Sequence, residues 1–108
     1  GDTITITLTG GAAEYTNVTG VSSYNVTATD YFISVDASAG PVTINLPDSP
    51  TPSRQFIVKD RLGWSSTNAI TVKSLSGVTT VDGDTSYIFT DDYESLECLF
   101  NTANYEVF

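Results

Sequence analysis

ISVDASAGPVTINLPDSPTPSRQFIVKD, residues 33–60, decides the fold because it contains three apolar segments separated by two breaks. The middle segment, Val42–Leu46, alternates apolar and polar side chains, which predicts a strand with one buried face. The last segment, Gln55–Asp60, is apolar on both parities, which predicts a strand with both faces covered. Proline lacks an N–H donor, so the proline-rich loop between these two segments is predicted to lie at the rim of a sheet.

Short apolar segments and turn residues continue on both sides of this stretch. In residues 2–9 threonine alternates with apolar side chains, which predicts an amphipathic strand, and residues 12–23 are predicted to be a loop or a weak strand. The sequence Asp60-Arg61-Leu62-Gly63 predicts a turn that ends in a left-handed glycine.

Two hairpins are predicted in the second half of the chain. Residues 69–73 and 78–81 flank the turn signal Ser76-Gly77, and a short polar turn joins residues 95–100 to residues 104–107. About ten strands of this kind, without a helical stripe and without a repeat that would indicate a solenoid, predict an all-β fold. These strands are compatible with a sandwich or a barrel, and the more specific prediction is a small antiparallel β-sandwich.

The charge balance excludes two classes of partner. The chain has four basic and 13 acidic residues, a net charge of −9, so its surface would repel the phosphates of nucleic acids and the headgroups of anionic lipids. No apolar run approaches the roughly 18 residues that a membrane helix needs, so we expect no membrane insertion. Because the chain begins with glycine and contains no methionine, we expect it to be a piece of a longer protein.

Catalytic and metal chemistry have few candidate residues. Without histidine the chain cannot form a Ser-His-Asp triad or a histidine-based metal cluster. Two acidic loops, Asp82-Gly83-Asp84 and Asp91-Asp92-Tyr93-Glu94, could supply oxygen ligands to calcium, but ordinary turn chemistry explains both. We therefore expect no catalytic residues, no metal and no cofactor, and calcium binding by these loops stays open.

Structural roles, rather than functional ones, are predicted for the side chains of Cys98 and Lys59. Cys98, the only cysteine, shares strand parity with apolar residues and is predicted to be a buried thiol. Lys59 lies in an otherwise apolar strand, and an unpaired buried ammonium is costly. It is therefore predicted to pair with Asp60, with Asp36 or with an acid of a neighbouring subunit.

The order of these segments resembles a known family. An Ile-Ser-Val-Asp strand is followed by Val-Thr-Ile-Asn-Leu-Pro, the proline-rich loop and Arg-Gln-Phe-Ile-Val-Lys-Asp at residues 54–60. Asn-Ala-Ile-Thr-Val at residues 68–72, an Asp-Gly turn and the segments at residues 93–96 and 104–107 complete the order. Over residues 28–108 it resembles the small β-domains at the tips of bacteriophage tail fibres and spikes, and of trimeric fibre adhesins in bacteria.

The resemblance implies a β-sandwich that works as a homotrimer at the end of a fibre and contacts a cell surface. It implies an N-terminal strand and connector at residues 1–27 and a tip domain at residues 28–108. It also implies an extracellular location, on a virion or on a cell-surface fibre. Many members of the family have glycine where this chain has Ser53, and a small residue is expected where it has Trp64.

Trp64 is the side chain that most favours ligand binding. It lies in a polar loop, where its ring could stack on the C–H faces of a sugar while hydroxyl and amide groups supply hydrogen bonds. The predicted ligand-binding residues are Trp64, Ser65, Ser66, Thr67 and Asn68. The alternative is that Trp64 packs into a subunit interface or covers the core.

The sequence therefore predicts a receptor-binding, adhesive tip domain that recognises a cell-surface glycan or another surface receptor, without catalysis. One alternative is a purely structural trimerisation or capping module of a fibre. Another alternative is a monomeric carbohydrate-binding module of a larger enzyme. The mass of the oligomer separates the last from the other two, and glycan binding separates the adhesive domain from the structural module.

Overall fold

The computed structural model describes residues 15–108, and within them the chain forms ten β-strands and no helix. The strands are β1 (Tyr15–Thr19), β2 (Ser23–Asn25), β3 (Phe32–Asp36), β4 (Val42–Leu46), β5 (Gln55–Asp60), β6 (Ile70–Ser74), β7 (Thr80–Val81), β8 (Ser86–Phe89), β9 (Ser95–Phe100) and β10 (Asn104–Val107). The all-β class predicted from the sequence is confirmed. The strand predicted for residues 2–9 lies outside the described residues.

The ten strands form two sheets, and most of the chain alternates between them. The six-stranded sheet has the order β1-β3-β5-β9-β10-β7, and the four-stranded sheet has the order β2-β4-β6-β8. Parallel pairing joins β1, β3 and β5, joins β2, β4 and β6, and joins β7 to β10. Antiparallel pairing joins β9 to β5 and β10, and joins β8 to β6.

The predicted antiparallel sandwich is wrong, because most turns do not join neighbouring strands of one sheet. From β1 to β6, successive strands lie in alternate sheets. Two parallel neighbours in one sheet are therefore connected through a strand of the other sheet, which serves as their crossover connection. Three coils of two strands result, in a solenoid-like arrangement that no repeat in the sequence indicated. Phe32 of β3 pairs with Tyr15 of β1 and with Ile57 of β5, and the chain segments between these partners differ in length. The coils therefore leave no fixed repeat in the sequence.

The core lies between the sheets and contains alternate residues of each strand. In β4, Val42, Ile44 and Leu46 are buried, while the two polar residues between them are only half-buried. The same alternation buries Ile33, Val35, Phe56, Val58, Ile70, Val72, Phe89, Leu96, Cys98 and Tyr105. Burial of large side chains of this kind contributes about 1.5–3 kcal/mol each. The buried thiol predicted at Cys98 is confirmed, and burial raises its pKa to about 12.

The predictions for individual turns and strands have mixed outcomes. The hairpin predicted around Ser76-Gly77 is wrong, because β6 and β7 belong to different sheets. The C-terminal hairpin is confirmed, with Tyr105 opposite Phe100 in the antiparallel ladder of β9 and β10. Residues 15–19, predicted to be a loop or a weak strand, form β1, which pairs with β3 over its whole length. The division at residue 27 stays a prediction, and the strands described before it belong to both sheets.

Among the turn positions with a left-handed backbone conformation, two bear on the sequence predictions. Gly63 has a φ of 76°, which confirms the left-handed glycine predicted at the end of that turn. Ser53 has a φ of 71°, a conformation that favours glycine over a residue with a side chain. This conformation costs a residue with a side chain roughly 1–2 kcal/mol, because its Cβ crowds the backbone.

Ser53→Gly is therefore expected to raise the free energy of unfolding by up to about 1 kcal/mol. Relief of the backbone strain exceeds the loss of about 0.4–1 kcal/mol that the greater freedom of glycine in the unfolded chain brings. Denaturant unfolding measures the difference. The control is Ser49→Gly, in the same loop but with a negative φ, which should destabilise the protein slightly. Equal losses in both variants would contradict the strain at Ser53.

Candidate functional site

The side chain of Asp60 organises two loops at one end of the sheets. Asp60 is the last residue of β5 and is fully buried. Its Oδ1 accepts the backbone N–H of Gly63 at 3.0 Å and that of Trp64 at 3.2 Å. Its Oδ2 accepts the N–H of Ser65 and that of Tyr93, each at 3.0 Å. One carboxylate therefore fixes both the loop that follows β5 and the loop that precedes β9.

Hydrogen bonding keeps Asp60 ionised in this buried position. Burial alone would raise the pKa of the carboxyl group. Donors from Ser65, Tyr93 and Trp64 stabilise the charged form more strongly, and the pKa of Asp60 lies below its ordinary value. The charge is thus stabilised by the N–H dipoles of the two loops.

Tyr93 presents its ring to solvent from a fixed backbone. Its side chain is 58% exposed and its φ is 64°, an unfavourable conformation for a residue of this size. The N–H of Tyr93 donates to Asp60, and its carbonyl oxygen accepts from Nζ of Lys59. Its ring lies against Gly63, where a Cβ would come within 2.4 Å of the ring. Two consecutive residues of β5 and one glycine therefore hold Tyr93 in place.

Trp64 lies directly after the glycine that Tyr93 contacts. Its side chain is 37% exposed, and it lies in a loop, as predicted. The backbone N–H groups of Trp64 and Tyr93 donate to the same carboxylate, so these two exposed residues, called the aromatic pair, lie on the two loops that Asp60 holds at one end of the sheets. Leu62, which precedes Gly63 in the same loop, is also exposed, at 43%.

The other predicted site residues have different positions in the loop. Ser66 and Thr67 are exposed beside Trp64. The N–H of Thr67 donates to the carbonyl of Trp64 at 2.9 Å, and the N–H of Ser66 donates to Oδ1 of Asp92 at 2.9 Å. The backbone of this segment is therefore held in place, while the two hydroxyl groups remain at the surface.

Ser65 and Asn68 support the loop from below. Ser65 is only 3% exposed, so its hydroxyl lies beneath the surface that a ligand would touch. Asn68 is half-buried, and its Nδ2 donates to the carbonyl of Ala37 at 2.8 Å. The structure thus brings Trp64, Ser66 and Thr67 to the surface together, and it gives Ser65 and Asn68 structural contacts.

Lys59 does not form the ion pair with Asp60 or Asp36 that the sequence predicted. Its ammonium group donates to the carbonyl of Tyr93, and Nζ lies 5.8 Å from the centroid of the Tyr93 ring. A carbonyl and an aromatic face therefore compensate the charge in place of a carboxylate. Pairing with an acid of a neighbouring subunit stays a prediction.

The two acidic loops use carboxylates to hold backbone groups. Oδ1 of Asp82 accepts the N–H of Val107 at 3.0 Å. Oε1 of Glu94 accepts the N–H of Thr90 at 3.1 Å and that of Asp91 at 3.2 Å. Within residues 15–108, no group of three or more His, Cys, Asp or Glu side chains is arranged to hold a metal ion.

A concave region lies at the other end of β5. It encloses about 400 Å³ and is lined by Val26, Ala28, Pro47, Ser49, Pro50, Thr51 and Arg54. The guanidinium of Arg54 donates to the carbonyls of Ala28, at 2.6 Å, and Asp30, and it lies 4.4 Å from the ring centroid of Phe56. The cation at this cavity thus serves to hold the loop before β3.

Tyr93 and Asp60 are the residues of the site that the sequence did not predict. Tyr93 lies between acids in a segment predicted to be a turn, and its contact with Gly63 joins residues distant in sequence. The only local signal was an aromatic residue in a polar turn. That signal does not reveal the neighbour on which the ring rests.

The comparisons with known proteins found no relative: no protein-family model matches the chain, and no curated protein matches it either. Between residues 15 and 108 there is no helix that is long and apolar enough to span a membrane.

Proposed function

We propose that this chain is the receptor-binding tip domain of a trimeric viral or bacterial surface fibre, and that it binds a cell-surface glycan through Trp64 and Tyr93. The single observation that carries the glycan site is the buried carboxylate of Asp60, which holds the backbone of both aromatic residues. Groups fixed before binding lose less entropy when a ligand is bound. The all-β fold and the resemblance to fibre tips support the fibre and its extracellular location.

The surroundings of the aromatic pair suit a ligand rich in hydroxyl groups. Exposed ring faces pack against the C–H groups of a pyranose. The hydroxyls of Ser66 and Thr67 can donate and accept hydrogen bonds, and the exposed carboxylate of Asp91 can accept them from sugar hydroxyls. The proposed role is binding, without catalysis.

Trp64→Ala and Tyr93→Ala are each expected to weaken glycan binding about thirtyfold. Truncation of an interface aromatic typically costs on the order of 2 kcal/mol. The measurement is binding to a glycan array, followed by titration with the glycans that bind the unchanged protein. Because Tyr93 is 58% exposed, its truncation should change the melting temperature little, whereas Trp64, at 37%, should cost more stability on truncation.

The matched control is Val78→Ala, which removes an apolar side chain that is 81% exposed and lies outside the two loops held by Asp60. It should leave binding unchanged. Normal binding by stable Trp64→Ala and Tyr93→Ala proteins would refute the site. A strong loss of stability in Trp64→Ala, of roughly 3–5 kcal/mol, would support the packing role of Trp64 instead.

A purely structural trimerisation or capping module is the second candidate function. It is favoured by a patch of apolar side chains on the outer face of the six-stranded sheet, where Tyr15 and Phe32 stack with ring centroids 5.8 Å apart. A trimer that binds no glycan on the array would support this function. A monomer that binds glycans would instead support a carbohydrate-binding module of a larger enzyme.

A further inference from the structure

The outer faces of the two sheets differ in chemistry. On the four-stranded sheet, the residues that alternate with the core are mostly polar, and Thr43 lies opposite Ser23 and Thr71 in register. In the next row, Nδ2 of Asn45 donates to Oδ1 of Asn25 at 3.0 Å. This outer face has the polar composition expected of a sheet that faces water.

The outer face of the six-stranded sheet carries an apolar patch, formed by Tyr15, Phe32, Ile57 and Leu99. Phe32 lies opposite Tyr15 and Ile57 in the ladder, and Leu99 lies on the next strand, opposite Gln55. Tyr15 is 62% exposed, and the other three side chains are half-buried. Tyr15, Phe32 and Ile57 form one row across three neighbouring strands, and Leu99 lies diagonally from Ile57 on the fourth.

Charges of opposite sign lie on the two halves of this face. Lys59 is on β5 and Arg61 follows it, while Asp36 beside Arg61 offsets part of that charge. Glu97 of β9 and Glu106 of β10 are both exposed on the other half. The chain as a whole has a net charge of −9, so most pairs of surfaces from two copies repel each other.

We infer that three copies turn this face toward a common axis, with the basic half of each copy against the acidic half of the next and the apolar patch along the axis. The inference rests on the trimer of the proposed function and assigns the surface through which it forms. A contact between different halves of one face is heterologous, and it closes into a ring of three when neighbouring copies are related by a third of a turn. A second copy is a better partner than a foreign cationic protein, because the same face carries both basic and acidic residues. Lys59 and Arg61 of one copy can therefore pair with Glu97 and Glu106 of the next.

The test is sedimentation of residues 1–108 at tens of micromolar, with and without Ile57→Glu. This change places a carboxylate in the apolar patch, next to Glu97, which lies opposite Ile57 in the ladder. The unchanged protein should sediment as a trimer, and the variant should dissociate at a concentration at least about tenfold higher than the parent does. The matched control is Ile88→Glu, on the outer face of the four-stranded sheet, where Ile88 is 52% exposed; it should remain trimeric.

Tyr15→Glu, on an edge strand, provides a second variant if Ile57→Glu fails to fold, and it should also dissociate. A trimer unaffected by either change would overturn the inference and leave the proposed function standing. A dimer would overturn the ring, and a monomer at all concentrations would overturn the proposed trimer as well. Monomeric Ile57→Glu should keep the glycan affinity of each aromatic pair, since none of the four residues of the patch belongs to the two loops held by Asp60. Loss of that affinity in a folded variant would contradict the separation of the two surfaces.

Discussion

Tyr105→Ala is expected to lower the free energy of unfolding by about 3–5 kcal/mol, the cost of removing a fully buried aromatic side chain. The ring of Tyr105 is completely buried, with its centroid 5.3 Å from that of Phe100 and 6.1 Å from that of Phe56. Its hydroxyl donates to the carbonyl of Pro47 at 2.6 Å. Urea unfolding followed by circular dichroism measures the loss, which is a large part of the 5–15 kcal/mol that stabilises a typical domain.

Two control variants distinguish the contribution of the Tyr105 ring to stability from that of its hydroxyl group and from that of the residue at the chain end next to β10. Tyr105→Phe keeps the ring and leaves only the carbonyl of Pro47 without its donor, so it should cost about 1–3 kcal/mol. Phe108→Ala removes a ring that is 65% exposed and should cost little. If Tyr105→Ala were no less stable than Tyr105→Phe, the ring would not hold β10 to the core.

Asp60→Asn is expected to destabilise the protein by about 2–4 kcal/mol and to weaken glycan binding. The asparagine amide has only one acceptor oxygen, and its NH₂ group would face backbone N–H groups that donate to the carboxylate in the parent protein. Those buried N–H groups would lose their acceptor, and each loss costs about 1–3 kcal/mol. The loops that carry Trp64 and Tyr93 then lose their common anchor. Denaturant unfolding and the glycan titration measure the two effects.

The matched control for Asp60→Asn is Asp92→Asn, which removes one charge from an exposed residue whose Oδ1 accepts from Ser66. It should cost less than about 1 kcal/mol. Similar losses in the two variants would contradict the role of Asp60 as the anchor of both loops.

The stabilisation by Asp60 should also depend on pH. Its pKa in the folded protein lies below the value of about 3.9 that an aspartate has in an unfolded chain. Its stabilising effect is therefore fully present above the unfolded pKa and is lost as the pH falls through the folded pKa. The difference in stability between the parent protein and Asp60→Asn should shrink below about pH 4. A constant difference down to pH 2 would contradict this linkage.

The side-chain pattern predicted the strands well and their neighbours poorly. Val42–Leu46 and Gln55–Asp60 are strands with the predicted bounds. In Val42–Leu46 the alternation correctly reports the buried face, whereas Gln55–Asp60, predicted to be covered on both faces, buries only one. Alternation does not report which strand lies alongside. Turn residues such as Ser76-Gly77 are equally compatible with a hairpin within one sheet and with a connection between two sheets. The sequence pattern therefore does not predict the parallel coils.

The candidate site could be predicted only in part. An aromatic residue in a polar loop identified Trp64, and the structure places it at the surface beside Ser66 and Thr67. Asp60 and Tyr93 could not be assigned to the site, because their contact joins the end of one strand to the loop before another. Burial of Ser65 likewise follows from its N–H bond to Asp60, which no local pattern encodes.

The alternation of strands between the sheets has a consequence for local unfolding. Within the described chain, the first coil pairs only with the second, through β1 with β3 and β2 with β4. It can therefore open by breaking one ladder in each sheet, while the later strands keep all of their other pairings. β5 lies between β3 and β9, so its backbone amides are released only when most of the domain unfolds. Resistance to opening thus rises from the first coil toward the centre of the six-stranded sheet.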